Sequence, residues 1–305
     1  MAERILYLNG SYINESEAKL SIHDRGFLLG DAAYDMSRTF NHRPFKFREH
    51  IARLYRSLEY IQIDPGLTLE EMLAITHEVF KRNEGTLGPK DDFIVIQRVS
   101  RGVGEFGMKI TGPTVLVYCH PVHFSTFARR YVEGAHLVVA STPRTPSQCL
   151  NPRAKLQNKL NHIVAELESK SVDPSAYVLM LDTRGYLAEC TAQNLFLVRD
   201  GKLFTPTHDT ILEGVSRETV QELALKLDIP YFETDLDAYD LSIADEVFLT
   251  SNTITIMPVS KVNGRPRGKP VPGPVTERLL SSWSELVGVD IVEQALAHTA
   301  TPESG

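Results

Sequence analysis

The sequence predicts a two-domain protein of the mixed α/β or α+β class. Its 305 residues suffice for two domains of roughly 100–200 residues each, large enough to bury a core. Antiparallel hairpins and amphipathic helices follow one another without the regular strand–helix alternation of a doubly wound nucleotide fold. We therefore expect a smaller N-terminal α/β domain and a larger C-terminal domain rich in antiparallel hairpins.

The N-terminal domain is expected to cover residues 1–122. Residues 3–14 alternate around an Asn-Gly turn, which is typical of a β-hairpin. Residues 49–62 place apolar side chains on one helical stripe, and a second helix at about 68–83 follows a Pro-Gly turn. Two strands complete the domain, near 92–100 and 113–119.

The next segment, residues 123–135, carries a weaker pattern and is expected to link the two domains. The C-terminal domain, residues 136–292, opens with a β-type run. A loop at 143–152 then leads into a helix. The apolar stripe of that helix consists of Leu156, Leu160, Ile163, Val164 and Leu167.

The remainder of the C-terminal domain contains two predicted hairpins, which turn at 182–185 and 200–201. The last residues, 293–305, have the composition of a flexible tail. Between the hairpins and the tail we expect a helix at 216–228, a strand at 246–250 and a final helix at about 275–287.

Composition and charge exclude several classes of partner. The net charge is −7 and the 32 Lys and Arg residues are spread along the chain, so no basic stripe suits nucleic acid. No apolar run approaches the roughly 18 residues of a membrane span, and the first ten residues do not resemble a signal peptide. The three cysteines are widely spaced and form no metal or disulfide pattern. We expect no metal and a cytoplasmic protein.

The common mechanistic motifs are also missing from the sequence. It contains no GxGxxG, P-loop, HExxH, GxSxG or EF-hand pattern. Their absence removes the simplest oxidoreductase, kinase, zinc-hydrolase and α/β-hydrolase interpretations. A set of polar residues remains at positions where packing alone does not require them.

Lys155 is a candidate for covalent catalysis. It lies between the Pro152 loop and the first turn of the predicted helix, off the apolar stripe. Burial would lower the pKa of its ammonium group and free the amine as a nucleophile. Position alone fits a solvated lysine at a helix start better, and Lys159 is a neighbouring competitor.

Further polar residues could bind a charged heterocycle or an anion. Glu189 follows a strand, where its carboxylate could pair with a protonated ring nitrogen or lie on the surface. Val215 and Ser216 open a helix whose N–H groups could bind an anion, although Ser216 could also be a plain N-cap. Residues 250–253 end a strand and could supply more phosphate donors. Arg53 lies off the apolar stripe of the helix predicted at 49–62, where it could bind a phosphate or be a solvated arginine.

Taken in order along the chain, these residues resemble the class IV aminotransferases. That family comprises branched-chain aminotransferases, D-amino-acid aminotransferases, (R)-amine transaminases and aminodeoxychorismate lyase. The resemblance spans about residues 4–265 and implies an enzyme of fold type IV. The matching residues are His23-Asp24-Arg25-Gly26-Phe27, Gly30-Asp31, Tyr34, Pro44-Phe45, Glu49-His50, Arg53-Leu54, Lys155, Asn158, Glu189, Asn194-Leu195-Phe196, Thr205-Pro206, Leu212-Glu213-Gly214-Val215-Ser216-Arg217, Ala244-Asp245-Glu246-Val247-Phe248 and Pro258-Val259.

The resemblance implies pyridoxal 5′-phosphate as the cofactor. Lys155 would form a Schiff base with it and shuttle the proton during catalysis. Glu189 would pair with the pyridine nitrogen and keep it protonated, so that the ring acts as an electron sink. The phosphate would be held by Arg53, Val215, Ser216, Ser251 and Asn252. At the last of these positions the family more often has Thr.

The resemblance implies substrate contacts on the N-terminal side. Tyr34 would line the active site, and the Tyr34-Asp35 pair is similar to that of (R)-amine transaminases. Arg38 stands where branched-chain enzymes tend to carry an arginine. Arg98 and Arg101 could face a substrate carboxylate or lie on the surface.

The tyrosine that many branched-chain enzymes carry shortly after the lysine is missing, because Leu160 or Asn161 stands there. The partner of the cofactor's ring hydroxyl therefore stays open. The implied reaction moves an amino group from a branched-chain L-amino acid, a D-amino acid or an (R)-amine to a 2-oxo acid, with ping-pong kinetics in a homodimer. The alternative is a class IV lyase similar to aminodeoxychorismate lyase, although this chain is longer than that enzyme.

Overall fold

The computed structural model describes residues 3–104 and 109–299, which form two compact units. The first unit comprises the chain up to Val122 together with Ala154–Lys159. The second comprises His123–Arg153 and the chain from Leu160 onward. Each unit contains its own β-sheet with helices, so the predicted mixed α/β class is confirmed.

The described part of the first unit is built on a six-stranded sheet. Its strands are β1 (Ile5–Leu8), β2 (Ser11–Asn14), β3 (Ala32–Phe40), β4 (Arg43–Pro44), β5 (Phe93–Ser100) and β6 (Thr114–Pro121). They pair in the order β2-β1-β6-β5-β3-β4, and neighbours are antiparallel throughout. The helices are α1 (Arg25–Leu29), α2 (Phe47–Tyr60) and α3 (Leu69–Glu84).

Helix α2 covers the part of the sheet that carries β3. Its predicted stripe is buried at Ile51, Leu54 and Leu58, which are at most 1% exposed. Burial of each such side chain stabilises the unit by roughly 1.5–3 kcal/mol. The polar side of α2 that faces β3 carries the residues from which part of the candidate site is built.

The described part of the second unit is built on a nine-stranded mixed sheet. Its strands are β7 (Ala135–Val139), β8 (Tyr177–Leu181), β9 (Leu187–Cys190), β10 (Asn194–Arg199), β11 (Lys202–Thr205), β12 (Tyr231–Glu233), β13 (Glu246–Ser251), β14 (Thr255–Val262) and β15 (Arg265–Pro266). The order is β12-β11-β10-β13-β14-β7-β8-β9, with β15 beside β14. The two predicted hairpins are β8–β9 and β10–β11.

Six helices accompany this sheet within the described residues. They are α4 (Arg130–Glu133), α5 (Leu160–Lys170), α6 (Val215–Lys226), α7 (Ala238–Ile243), α8 (Pro274–Val287) and α9 (Ile291–Leu296). The segment 123–135, predicted as a linker, contributes the buried Phe124 and Tyr131 to this unit. Helix α9 extends into the predicted tail 293–305, of which 300–305 lie outside the described residues.

The helix predicted to begin near Lys155 begins instead at Leu160. The preceding residues are extended because they pair with β3: Gln157 donates from N–H to the Ala32 carbonyl at 2.8 Å. Much of the apolar stripe of this helix is exposed, since Leu160 and Leu167 are 69% and 67% exposed.

In the part of the chain that the structure describes, no helix has both the length and the apolar character needed to cross a membrane.

Candidate active site

Lys155 lies in the extended segment beside β3, and its backbone is fixed on both sides. Its carbonyl accepts a hydrogen bond from the Tyr34 N–H at 3.1 Å, and its own N–H donates to Ser57 Oγ at 3.0 Å. The half-buried side chain places Nζ 4.6 Å from the centroid of the Tyr34 ring. Strand β3 and helix α2 together therefore fix the backbone position from which the Lys155 side chain extends.

A buried charged cluster supports this arrangement from within the same unit. Asp35 accepts from Arg53 Nε at Oδ2 and Arg53 Nη2 at Oδ1, both at 2.8 Å, and its Oδ1 lies 2.8 Å from His50 Nδ1. The two-pronged bond to Asp35 fixes the orientation of the Arg53 guanidinium. Ser57 Oγ donates to the Arg53 carbonyl at 2.9 Å, so the cluster is connected to the residue that holds Lys155.

The ionisation of this cluster follows from its burial and its pairing. Burial acts to raise the pKa of Asp35, but the Arg53 guanidinium and His50 overcome it and hold that pKa well below its usual range. Burial lowers the pKa of His50 despite its bond to Asp35. At neutral pH the cluster is therefore a carboxylate and a guanidinium with a neutral imidazole.

Two further cations of the first unit approach the Tyr34 ring. The Cζ atom of Arg98 lies 4.9 Å from the ring centroid, and Lys159 Nζ lies 6.0 Å from it. Arg98 donates from Nε to Tyr118 Oη at 3.0 Å and from Nη1 to Gln157 Oε1. The guanidinium of Arg98 is thus held on one edge by neutral groups, an arrangement suited to binding an anion.

Arg38, predicted as a substrate contact, lies in the interior of the first unit. Its side chain is fully buried, with Cζ 4.1 Å from the Phe40 ring centroid and Nη2 3.6 Å from a carboxylate oxygen of Asp92. The residue points into the packed end of β3, where both faces of the strand are covered, so no substrate reaches it.

Arg101 also has a structural role that accounts for its position. It forms a two-pronged bond with Asp31 at 2.8 and 3.0 Å, and it donates to the carbonyls of Ile61 at 2.7 Å and Gln62 at 3.0 Å. These bonds engage all three guanidinium nitrogens and tie the end of α2 to the turn before β3. These contacts account for the position of Arg101 without a substrate carboxylate.

In the second unit, Glu189 is buried near the end of β9. Its Oε1 lies 2.6 Å from Nη2 of Arg144, while Oε2 accepts from the Leu212 N–H at 2.9 Å and from Asn194 Nδ2 at 3.2 Å. Arg144 itself donates from Nε to the Thr210 carbonyl at 3.1 Å. Both carboxylate oxygens are fixed, so Glu189 can present a negative charge in one orientation.

The start of α6 and the end of β13 carry the other predicted donors of this unit. Val215 and Ser216 form the first turn of α6 behind Gly214, and within the described chain no side chain caps that turn. Ser251 closes β13, and the next residue, Asn252, has a buried Nδ2 donor that lacks a hydrogen-bond partner among the described residues. An uncapped helix start and an unsatisfied buried amide donor both suit an anion such as a phosphate.

A side chain in place of Gly214 at this helix start would force Asn194 to move. A Cβ atom at that position would lie 2.2 Å from Oδ1 of Asn194, a separation that no substitution tolerates without movement. Since Asn194 also bonds Glu189, a side chain at position 214 would disturb the carboxylate as well.

The structure therefore brings Lys155, Arg53, Tyr34 and Arg98 together in the first unit, and places the five remaining site residues, Glu189, Val215, Ser216, Ser251 and Asn252, in the second. The sequence indicates Asp35 and His50 only as part of the resemblance, without their bonds to Arg53, and it does not single out Ser57 or Arg144. The bonding role of Asp35 could have been inferred from its place as a charged residue on the inward side of a strand, whereas the loop that carries Arg144 offered no signal.

The chain matches the family model of amino-transferase class IV over residues 32–262. It is 33% identical to a protein of Methanocaldococcus jannaschii that is assigned as a branched-chain-amino-acid aminotransferase, over 92% of this chain and 96% of that protein. It is 28% identical to the D-alanine aminotransferase of Staphylococcus haemolyticus, over 92% and 97%. A branched-chain aminotransferase from Thermoproteus uzoniensis, solved with norvaline, matches with a TM-score of 0.84 and 26% identity over 96% of each chain.

The chain therefore belongs to the class IV aminotransferases. The predictions of the family, of an aminotransferase as the enzyme class and of pyridoxal 5′-phosphate as the cofactor of that class are confirmed. The alternative of a lyase is not favoured, because the relatives named above are aminotransferases.

Proposed function

We propose that this enzyme moves an amino group from an amino acid or a primary amine to a 2-oxo acid, with Lys155 as the reacting lysine. The observation that carries the proposal is the fixed backbone of Lys155, held by Tyr34 and Ser57. An amine positioned in this way can act first as a nucleophile and then as the group that moves a proton. The two half reactions then alternate, which gives ping-pong kinetics.

Both units contain residues that fit the cofactor. When bound, pyridoxal 5′-phosphate supplies an electron sink for the carbon that loses its proton. In the first unit, we propose that Arg53, whose guanidinium is held in place by Asp35, binds the phosphate. In the second unit, we propose four phosphate-binding residues, Val215, Ser216, Ser251 and Asn252. An amide donates to phosphate as the more usual threonine does, and the unsatisfied Nδ2 of Asn252 supports that role.

We propose that Glu189 accepts the hydrogen bond of the cofactor's protonated ring nitrogen. Replacing Glu189 with Gln is expected to lower kcat roughly 10- to 100-fold, because a charge-assisted bond is lost. Steady-state kinetics of the cofactor-loaded variant measures the effect. Glu285→Gln, an exposed change on α8, is the control and should leave kcat unaltered. An unchanged kcat in a fully loaded Glu189→Gln enzyme would contradict this role.

On the substrate side, we propose that Arg98 binds the substrate carboxylate and that Tyr34 lines the pocket. Arg98 is held by Tyr118 and Gln157, so its charge is in place before substrate arrives. Relatives named for branched-chain and for D-alanine substrates match this chain at similar coverage, which supports a branched-chain L-amino acid or a D-amino acid as the donor. The Tyr34-Asp35 pair adds an (R)-amine as the third candidate.

The proposed function is tested by half reactions of the purified, cofactor-loaded protein with L-leucine, D-alanine and (R)-1-phenylethylamine. We expect at least one of them to bleach the yellow colour and a 2-oxo acid to restore it. Bleaching by L-leucine alone would exclude the D-amino acid and the amine as donors. No response to any of the three would contradict transamination and would favour the lyase.

We further propose that the enzyme is a cytoplasmic homodimer. Helix α5 exposes four apolar side chains at helical spacing, each at least 45% accessible: Leu160, Ile163, Val164 and Leu167. A second copy of the chain is the occupant that would bury such a face. Sedimentation at the monomer mass would contradict the dimer. The free cysteines of the chain, Cys119, Cys149 and Cys190, suit a reducing compartment.

A further inference from the structure

The guanidinium of Arg98 contacts three side chains of the first unit, those of Tyr34, Tyr118 and Gln157. Tyr34 on β3 lies directly opposite Arg98 on β5, and Tyr118 on β6 lies opposite Ile96, two residues earlier. Because alternate residues of a strand point to the same face, the two tyrosines and the arginine share one face of the sheet. Arg98 is the one residue of β5 that is not buried, so solvent reaches this position.

The hydrogen bonds of Arg98 determine which donors its neighbours can offer to a ligand. Its Nε donates to Tyr118 Oη at 3.0 Å, and its Nη1 donates to Gln157 Oε1. Since an arginine can only donate, the hydroxyl hydrogen of Tyr118 and the amide N–H groups of Gln157 are directed elsewhere. No other described residue accepts a hydrogen bond from this guanidinium, so its Nη2 is available as well.

This set of donors is suited to a carboxylate. Both acceptors of the Arg98 guanidinium are neutral, and no carboxylate of the described chain forms an ion pair with it. A guanidinium binds a planar carboxylate through two parallel N–H···O bonds, and neighbouring hydroxyl and amide donors can bind the same oxygens. A ligand without an acceptor at this point would leave the charge and the donors unpaired, which is costly once water is excluded.

We propose that Tyr118 and Gln157 join Arg98 in a receptor for the substrate carboxylate, and that this receptor restricts the donor to amino acids. The inference rests on the proposed function, in which Lys155 reacts and Arg98 binds the carboxylate. Lys155 Nζ lies 4.6 Å from the centroid of the Tyr34 ring, and Arg98 Cζ lies 4.9 Å from it. Both groups therefore border one ring, as a substrate requires whose amino nitrogen and carboxylate share one carbon.

An (R)-amine carries an apolar group in place of the carboxylate. A site built to hydrogen-bond a substrate group rejects an analogue that lacks it by about 10⁴–10⁵-fold when the site is enclosed. Because Arg98 is partly exposed, we expect kcat/KM for (R)-1-phenylethylamine to be at least about 100-fold below that of the best amino acid. Asp35 does not alter this expectation, because it is buried and bonded to Arg53 on the other face of β3.

The test measures the binding of 4-methylpentanoate and of its neutral amide, 4-methylpentanamide, to the full-length, cofactor-loaded protein by isothermal titration calorimetry. Wild type should bind the carboxylate at least about tenfold more tightly than the amide. Tyr118→Phe should weaken carboxylate binding about tenfold, because one charge-assisted hydrogen bond is lost. Gln157→Glu should weaken it by at least about tenfold, because the added carboxylate pairs with Arg98 and repels the ligand.

Two exposed substitutions are the controls and should keep the wild-type affinities. Tyr239→Phe on α7 repeats the loss of a hydroxyl, and Lys81→Glu on α3 changes the net charge by more than Gln157→Glu does. Gln157 pairs with β3 through its backbone N–H, so its side chain can be replaced without breaking that contact. The variant at this position therefore keeps the proposal testable if Tyr118→Phe does not fold.

Three results would overturn the proposal. The first is equal affinity of wild type for the carboxylate and the amide. The second is unchanged carboxylate binding in both receptor variants, and the third is turnover of (R)-1-phenylethylamine as efficient as that of the best amino acid. Because ligand binding requires no turnover, its failure is distinct from failure of transamination, which the half reactions report separately.

Discussion

Replacing Lys155 with alanine is expected to abolish transamination, with kcat lower by at least about 10³-fold. A positioned acid–base group alone contributes about 10²–10⁴-fold, and the same residue also supplies the nucleophile. The fold should be unaffected, because Lys155 contacts Tyr34 and Ser57 through its backbone. Steady-state kinetics with the best donor from the half-reaction panel measures the loss.

The chemical identity of the lysine is checked by reducing the yellow protein with borohydride and sequencing the modified peptide. Wild type should carry the label on Lys155, and the Lys155→Ala variant should carry none. Lys81→Ala, an exposed change on α3 of the same unit, is the matched control and should keep full activity. Label on Lys159, or a yellow Lys155→Ala protein that still turns over, would disprove the assignment.

The Asp35→Asn variant is expected to lose about 3–5 kcal/mol of unfolding free energy. Asparagine keeps the shape of the side chain but leaves the Arg53 guanidinium buried without its carboxylate, a change of the kind that costs this amount. Urea unfolding followed by circular dichroism measures it. Glu59→Gln on the exposed face of α2 is the control, with an effect within about 0.5 kcal/mol. A loss below 1 kcal/mol would mean that the pair contributes little.

The difference in unfolding free energy between wild type and Asp35→Asn depends on pH, because the pKa of Asp35 is lowered in the folded state. A carboxyl whose pKa is lower in the folded state stabilises the fold above its unfolded pKa, about 3.9, and loses that contribution as pH falls toward the folded value. The gap between wild type and Asp35→Asn should therefore be constant from about pH 8 to pH 5 and shrink below about pH 4. A gap that closed already near pH 6 would contradict the lowered pKa.

The sequence located much of the fold and the principal site residues, but it could not say which faces are covered. Arg38 fitted a substrate role by its neighbours, yet the end of β3 is buried on both sides and Arg38 with it. The stripe of α5 was recognised as apolar, but burial falls instead on His162, Ala165 and Ser169. Periodicity reports that a face is apolar and does not report what lies against it.

The sequence also could not show which residues far apart along the chain contact each other. The local pattern predicts that a helix begins just after Lys155, whereas pairing with β3 keeps this segment extended and the helix begins at Leu160. The contact between Arg144 and Glu189 likewise depends on the loop that carries Arg144 meeting strand β9 in the second unit. Such pairings between residues far apart along the chain override local preference and leave no trace in residue spacing.

Because Ala154–Lys159 belongs to the first unit, a chimera of two homologues has to exchange it together with that unit. Both stretches that flank it belong to the second unit, so the part that carries Tyr34 and Ser57 and the part that carries Lys155 are not contiguous in the gene. A chimera of two homologues joined at residue 122 would combine one parent's sheet with the other parent's lysine. Grafts that retain activity should therefore exchange residues 3–122 and 154–159 as one matched set.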